Sequence, residues 1–168
     1  MRKVFYLLGD VNDSDIEWLM ANSQRERFAA GAVLVREGEP IQALYIVLAG
    51  ALEACFAGRP SLRLETGDIV GELSFIDDHA PSPRVTAAED TVVLAIDRQR
   101  LLARLKIDND FSVRFYNSIA VFLVQRLPEA SRRPGAGKDE DELNLSQLNT
   151  IHTAARRFHR VLQRLLAE

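Results

Sequence analysis

The sequence has few of the residues that build disulfide frameworks and metal centres. Its 168 residues include one cysteine, Cys55, which excludes an intramolecular disulfide and a cysteine-ligated metal cluster. Because Cys55 lies in an apolar run, we expect a small buried thiol rather than a reactive one. The three histidines, His79, His152 and His159, form no cluster with metal-ligand spacing. The composition therefore predicts neither a cofactor nor a metal site.

Strong net charge and long apolar runs are also lacking. The net charge is −3, so bulk electrostatics does not favour nucleic acid or an anionic membrane as a partner. No apolar run approaches the ~20 residues of a membrane-spanning helix. The apolar residues near the N-terminus are interrupted by Asp10 and Asp13, too early for the core of a signal peptide. We therefore expect a cytoplasmic protein.

Short apolar runs separated by turns dominate the region from Arg27 to Ile96. The turns carry glycine, proline or acidic residues, which is typical of an antiparallel barrel or sandwich. The predicted strands are Arg27-Phe28, Val33–Val35, Leu44–Leu48, Leu52–Phe56, Leu62–Leu64, Val85–Ala87 and Thr91–Ile96.

Helical spacing of apolar residues appears on both sides of these strands. A short helix is predicted over residues 14–22, with Ser14 as its N-cap and Glu17 completing a capping box. Asp97 caps a second helix through Lys106. Asp108 or Asp110 opens a third that runs from Phe111 to Leu127, with Phe115, Ile119, Phe122 and Leu123 at helical spacing. Residues 128–143 are predicted to be a linker, and residues 144–168 an amphipathic C-terminal helix.

One stretch, residues 67–75, combines features suited to a phosphorylated sugar. Gly67 and Gly71 allow tight turns and close approach of the backbone to another surface. Free amide groups in a glycine-opened turn attract anions. The carboxylate of Glu72 can accept a hydrogen bond from a sugar hydroxyl. The alternative is a solvated glutamate in an ordinary turn.

Residues 67–72, with Pro81 to Ala87 after a loop, resemble the phosphate-binding cassette of cyclic nucleotide-binding domains. That pattern runs Gly-Asp-x-x-Gly-Glu, a short loop, then Pro-Arg-Ser/Thr-Ala. The turns at Gly31, Gly38-Glu39 and Gly50 occur in the family's order as well. The resemblance covers residues 13–127 and implies a mainly β fold, an antiparallel β-roll or jelly-roll barrel with flanking helices. We thus expect a domain over residues 1–127.

The resemblance also implies roles for individual residues in binding cAMP or cGMP. Glu72 would accept from the ribose 2′-hydroxyl, while Gly71, Leu73 and Ser74 would offer backbone amides. Ligand-binding members carry an arginine about nine or ten positions after the glutamate, where its planar fork pairs with the cyclic phosphate. Here the ninth position is Pro81. This departure predicts weak binding.

Arg84 is a candidate to compensate for the missing arginine. Strand alternation places Ser82, Arg84 and Thr86 on one face, opposite Val85 and Ala87. If Ser82 faces the phosphate site, Arg84 could direct its long side chain to the same place. The alternative is a solvent-facing arginine on an edge strand, and the sequence leaves both open.

The pattern favours a regulatory module over an enzyme, because no nucleophile motif accompanies Asp77, Asp78 and His79. We expect a stand-alone module without a DNA-binding unit, which senses a cyclic nucleotide and relays it to another protein through its C-terminal helices. The rival hypothesis is a ligand-free interaction module with a degenerate pocket. The last segment has an apolar seam at near-heptad spacing: Leu148, Ile151, Ala155, Phe158, Leu162 and Leu165. Docking on the barrel of the same chain, on a second copy or on another protein would bury this seam, and the near-heptad spacing favours a homodimer.

Overall fold

The computed structural model describes residues 11–55, 61–77 and 83–126, which form two antiparallel sheets and three α-helices. The strands are β1 (Ser23–Phe28), β2 (Val33–Val35), β3 (Ala43–Ala49), β4 (Ala51–Cys55), β5 (Leu62–Glu65), β6 (Ile69–Val70), β7 (Arg84–Ala87) and β8 (Thr91–Asp97). The helices are α1 (Asp13–Ala21), α2 (Arg98–Ile107) and α3 (Asn109–Arg126), with a 3-10 helix at Glu72–Phe75.

Each sheet has four strands, and neither follows chain order. The first sheet runs β1-β8-β3-β6 and the second runs β2-β7-β4-β5. All pairings are antiparallel. The predicted fold class, mainly β with flanking helices, is therefore confirmed.

Alternation along β3 produces two separate apolar cores. Leu44, Ile46 and Leu48 point to the helices, whereas Tyr45 and Val47 point to the second sheet. The helix-side core contains four buried phenylalanines: Phe75, Phe111, Phe115 and Phe122. The inter-sheet core is built from aliphatic residues: Val35, Ile41, Val47, Leu52, Ala54, Leu64, Val70, Val85, Ala87 and Val93.

The N-cap predicted for the first helix is wrong. Asn12, not Ser14, caps α1: its side chain accepts from the Asp15 N–H, and the Asp15 carboxylate accepts from the Asn12 N–H. The same capping rule fits both positions, and burial of Val11 fixes the earlier one. Asp97 caps α2 as predicted, accepting from the Arg100 N–H at 2.8 Å.

Of the two candidates for opening the third helix, Asp108 and Asp110, the structure selects Asp108. Its carboxylate accepts from the Phe111 N–H at 2.9 Å. This hydrogen bond is the main cause that lowers the pKa of Asp108 below its ordinary value, and Arg104 adds to the effect. Phe115, Ile119 and Phe122 are fully buried, as their spacing predicted.

A buried carboxylate holds the three α-helices together. Asp15 is 1% exposed and binds Arg104 at 2.7 Å and Arg114 at 2.9 Å, each measured between nitrogen and carboxylate oxygen. The guanidinium of Arg104 also lies 4.1 Å from the ring centroid of Phe111. The hydrogen bond to Asp15 is the main cause that raises the pKa of Arg114. One acidic residue of α1 thus fixes both α2 and α3.

Cys55 is exposed, so the prediction of a buried thiol is wrong. The physical reason is strand alternation: Leu52 and Ala54 face the inter-sheet core, and Cys55 therefore faces outward.

The linker predicted over 128–143, the helix predicted over 144–168 and its apolar seam lie outside the described residues. None of the described helices is long and apolar enough to cross a membrane.

Candidate functional site

The predicted cassette folds into a tight turn, residues 71–77, which we call the cassette turn. Gly71 has φ of +97°, a left-handed conformation that other residues rarely adopt. A Cβ atom at Gly71 would lie 2.9 Å from the Ala43 carbonyl oxygen and 3.0 Å from Ile41 Cγ2. Both the conformation and the close approach to β3 therefore require glycine.

Glu72 begins the 3-10 helix and is only 3% exposed. Burying a carboxylate costs several kcal/mol (about 2–7 even for a neutral polar group) unless hydrogen bonds or charges compensate. The solvated glutamate considered as the alternative is therefore excluded.

Leu73 and Ser74 follow Glu72 in the same turn. The Leu73 side chain is 38% exposed, while its carbonyl oxygen accepts from the N–H groups of Ile76 and Asp77 at 3.0 and 2.9 Å. The Ser74 hydroxyl donates to the Gly71 carbonyl oxygen at 2.7 Å, and the Ser74 N–H lies 3.3 Å from the same atom. Since a hydroxyl has one proton to donate, the Ser74 side chain is already used within the turn.

Two further residues that the sequence analysis missed fasten this turn to the helices. The guanidinium of Arg98 donates to the Ser74 carbonyl oxygen at 2.9 Å and, through Nε, to the Ser74 hydroxyl oxygen at 3.3 Å. The Phe75 ring meets Phe115 of α3 edge-on at a centroid distance of 5.6 Å. Twenty-four residues separate Ser74 from Arg98, and no sequence pattern links them.

Tyr45 is a third residue that sequence reasoning missed. It pairs with Val70, the residue before the cassette turn, and its side chain faces the inter-sheet core. Burial is the main cause that raises the pKa of Tyr45, and the negative charge of Glu26 adds to it. The Tyr45 phenol is therefore a neutral hydrogen-bond donor on the inter-sheet side of β3.

The side chain of Arg84 points away from the cassette turn. Along β7, Val85 and Ala87 are buried and Arg84 is exposed, in line with the predicted alternation. Its cross-strand partner is the exposed Cys55 of β4. Ile41, which contacts the Gly71 position, belongs to the same core as Val85. The side of β7 that faces the cassette is thus the side opposite Arg84.

The structure brings Gly71, Glu72, Leu73 and Ser74 together in one turn and places Arg84 on the outer face of β7. Ser82 and Pro81 lie outside the described residues, so the predicted role of Ser82 stays a prediction. Within the described parts of the chain, no group of three His, Cys, Asp or Glu side chains could hold a metal ion.

Comparison with known proteins agrees with this geometry. Residues 25–108 match the family model for the cyclic nucleotide-binding domain, which is half of the chain. The chain belongs to the cyclic nucleotide-binding domain family. The crystal structure of a Geobacter metallireducens protein described as a cyclic nucleotide-binding protein superimposes with a TM-score of 0.67 at 20% identity, covering 75% of this chain and 95% of that chain. At this identity the likeness shows the fold.

Two sequence relatives are much longer than the matched region. An uncharacterized NTE family protein of Mycobacterium tuberculosis is 29% identical over 130 residues, which cover 76% of this chain but 22% of the relative. The cyclic AMP receptor protein of Thermus thermophilus is 29% identical over 121 residues, 69% of this chain and 54% of the receptor. The cyclic nucleotide-binding domain of this chain therefore corresponds to one part of larger relatives.

Proposed function

We propose that this chain is a non-enzymatic, cytoplasmic regulatory module that binds a cyclic nucleotide weakly. The observation that carries the proposal is the buried carboxylate of Glu72 directly after a glycine in the left-handed conformation. A carboxylate held there can accept from the ribose 2′-hydroxyl, and the backbone amides of Gly71 and Leu73 would donate to the phosphate. The Ser74 N–H already donates to the Gly71 carbonyl oxygen at 3.3 Å. The ligand class is cAMP or cGMP.

Weak binding follows from the missing arginine. Losing a charged, paired hydrogen bond to the phosphate removes about 2–4 kcal/mol, or roughly thirtyfold to thousandfold in affinity. Arg84, three positions after Pro81, is the candidate to replace the missing arginine. Its exposed position on the outer face of β7 argues against that replacement. We therefore expect Arg84→Ala to leave affinity unchanged.

A calorimetric titration tests the proposal with cAMP, cGMP and cyclic di-GMP, and with 5′-AMP as the non-cyclic control. We expect saturable heat from cAMP or cGMP that disappears in Glu72→Gln. Glu65→Gln is the matched control, because Glu65 is nearby and 70% exposed. Absence of saturable heat with every nucleotide, or equal binding by Glu72→Gln, would refute the proposal.

A second candidate function is a ligand-free protein-interaction module with a degenerate pocket, which Pro81 at the arginine position favours. This function predicts no heat with any nucleotide in the titration above. In both functions the C-terminal helices would contact a partner protein.

We further propose self-association through the apolar seam of residues 144–168, with Leu148 and Leu162 among its members. Light scattering of the full chain and of a version truncated after Gly137 tests this. We expect a dimer that becomes monomeric on truncation. A monomeric full chain would exclude the homodimer, and a dimer that survives truncation would move the interface to α3.

A further inference from the structure

Arg98 connects the cassette turn to the start of α2. It is the first residue of that helix, and its N–H donates to the Gln42 carbonyl oxygen at 3.0 Å. Its guanidinium donates to both oxygens of Ser74 and lies 5.5 Å from the ring centroid of Phe75. One side chain therefore contacts two consecutive residues of the turn.

These contacts extend to the glycine that opens the turn. The Ser74 hydroxyl accepts from Arg98 and donates to the Gly71 carbonyl oxygen, so the three residues form one hydrogen-bonded chain. Hydrogen bonds with a charged partner are roughly twice as strong as neutral ones. The chain therefore restrains Gly71 and Ser74 on both sides of Glu72.

Before the turn, backbone hydrogen bonds connect the chain to β3, including those of Gly67 and Asp68 with Val47. β6 has two residues, Ile69 and Val70, paired with Ile46 and Tyr45 of β3. Within the turn, the hydrogen bonds from Arg98 and the packing of Phe75 against α3 connect it to the helices.

We infer that Arg98 is a positioning residue for the nucleotide site: it fixes the cassette turn so that the Glu72 carboxylate and the neighbouring amides keep their mutual geometry. The inference rests on the proposed function for the identity of the ligand, whereas the restraint of the turn is independent of any ligand. Arginine is required because a lysine offers a single point charge instead of a planar fork that reaches both oxygens of Ser74.

The test combines amide hydrogen exchange of the free protein with cAMP calorimetry on four proteins: wild type, Arg98→Ala, Arg98→Lys and Arg100→Ala. Arg100 is the matched control, because it lies on the same helix and makes a single exposed contact to Asn22 at 3.4 Å. Opening of the turn should become about tenfold or more frequent in Arg98→Ala, seen as faster exchange over residues 71–77. Arg98→Lys should give a smaller increase, and Arg100→Ala none.

Exchange that is unchanged over residues 71–77 in Arg98→Ala would overturn the inference. A uniform increase that includes the core of α3 would also overturn it, since it would mean a general loss of stability. In calorimetry we expect about tenfold weaker cAMP binding by Arg98→Ala and partial recovery in Arg98→Lys. Equal cAMP affinity in wild type and Arg98→Ala would show that Arg98 does not position the site. No binding by wild type, together with local exchange in Arg98→Ala, would refute the proposed function while supporting the tie between Arg98 and the turn.

Discussion

The two cores of this domain differ in what holds them together. The helix side relies on large aromatic side chains and on the buried Asp15 with its two arginines. The buried set of the inter-sheet side is entirely aliphatic, and its aromatic members, Phe28 and Tyr45, are partly buried. The helices are thus fixed by a few strong contacts between distant segments, whereas the roll is held by strand register and many small contacts.

The cassette turn joins these two regions. Val70, immediately before it, belongs to the inter-sheet core, and Phe75 belongs to the helix-side core. Glu72 lies between them along the chain. A ligand that contacts the turn is therefore positioned to affect how the helices pack, and this is the physical basis for expecting a regulatory module.

The difference between the helix-side core and the inter-sheet core is tested most strongly by truncating one side chain in each. Phe115 and Val93 are both fully buried. Phe115→Ala should lower the free energy of unfolding by about 3–5 kcal/mol. Val93→Ala removes two methyl groups and should cost about 2 kcal/mol. Urea unfolding of both variants measures the difference, and equal losses would show that the helix side does not depend on its aromatic residues.

Removing the buried carboxylate should have the next largest effect. Asp15→Ala leaves Arg104 and Arg114 without their shared partner, and breaking a buried ion pair in this way typically costs about 3–5 kcal/mol. Because Arg114 is 29% exposed, we expect the lower end of that range. The control is Glu39→Ala, which breaks the exposed pair with Arg36 at 3.8 Å and should change stability by less than about 1 kcal/mol. Similar losses in the two variants would contradict the role assigned to Asp15.

A smaller effect is expected on the pH dependence of the helix side. The pKa of Asp108 is lowered in the folded protein, so its stabilising contribution is present above its unfolded value of about 4 and is lost as pH falls through the folded value. Asp108→Asn keeps a helix-capping side chain but does not titrate. Plotted from pH 7 to pH 2, the free energy of unfolding of Asp108→Asn should decline less steeply below pH 4 than that of wild type. Parallel curves would mean that Asp108 does not contribute.

Local patterns in the sequence were sufficient to predict much of this molecule. Glycine and acidic turns bounded the strands, and the step from Gly71 to Glu72 located the turn that the structure shows. Alternation also gave the faces of β7. The same rule applied to Leu52 would have predicted the exposure of Cys55, which was instead inferred from its apolar neighbours.

Contacts between distant residues could not be predicted in this way. Asp15 meets Arg104 across 89 positions and Ser74 meets Arg98 across 24, and many other arginines and acidic residues were available as partners. Which of them meet depends on how the helices pack against the roll. β6 was also missed as a strand, because two residues are too few to show alternation.

The central claim is that the cassette turn is a cyclic nucleotide site weakened by the missing arginine. The most direct measurement is cAMP affinity by calorimetry for wild type, Pro81→Arg, and Pro81→Arg combined with Glu72→Gln. We predict that Pro81→Arg binds roughly thirtyfold to thousandfold more tightly than wild type, because a paired, charged contact to the phosphate is restored. The added Glu72→Gln substitution should remove most of that gain. An affinity that does not improve in Pro81→Arg, or a gain that survives Glu72→Gln in full, would contradict the account.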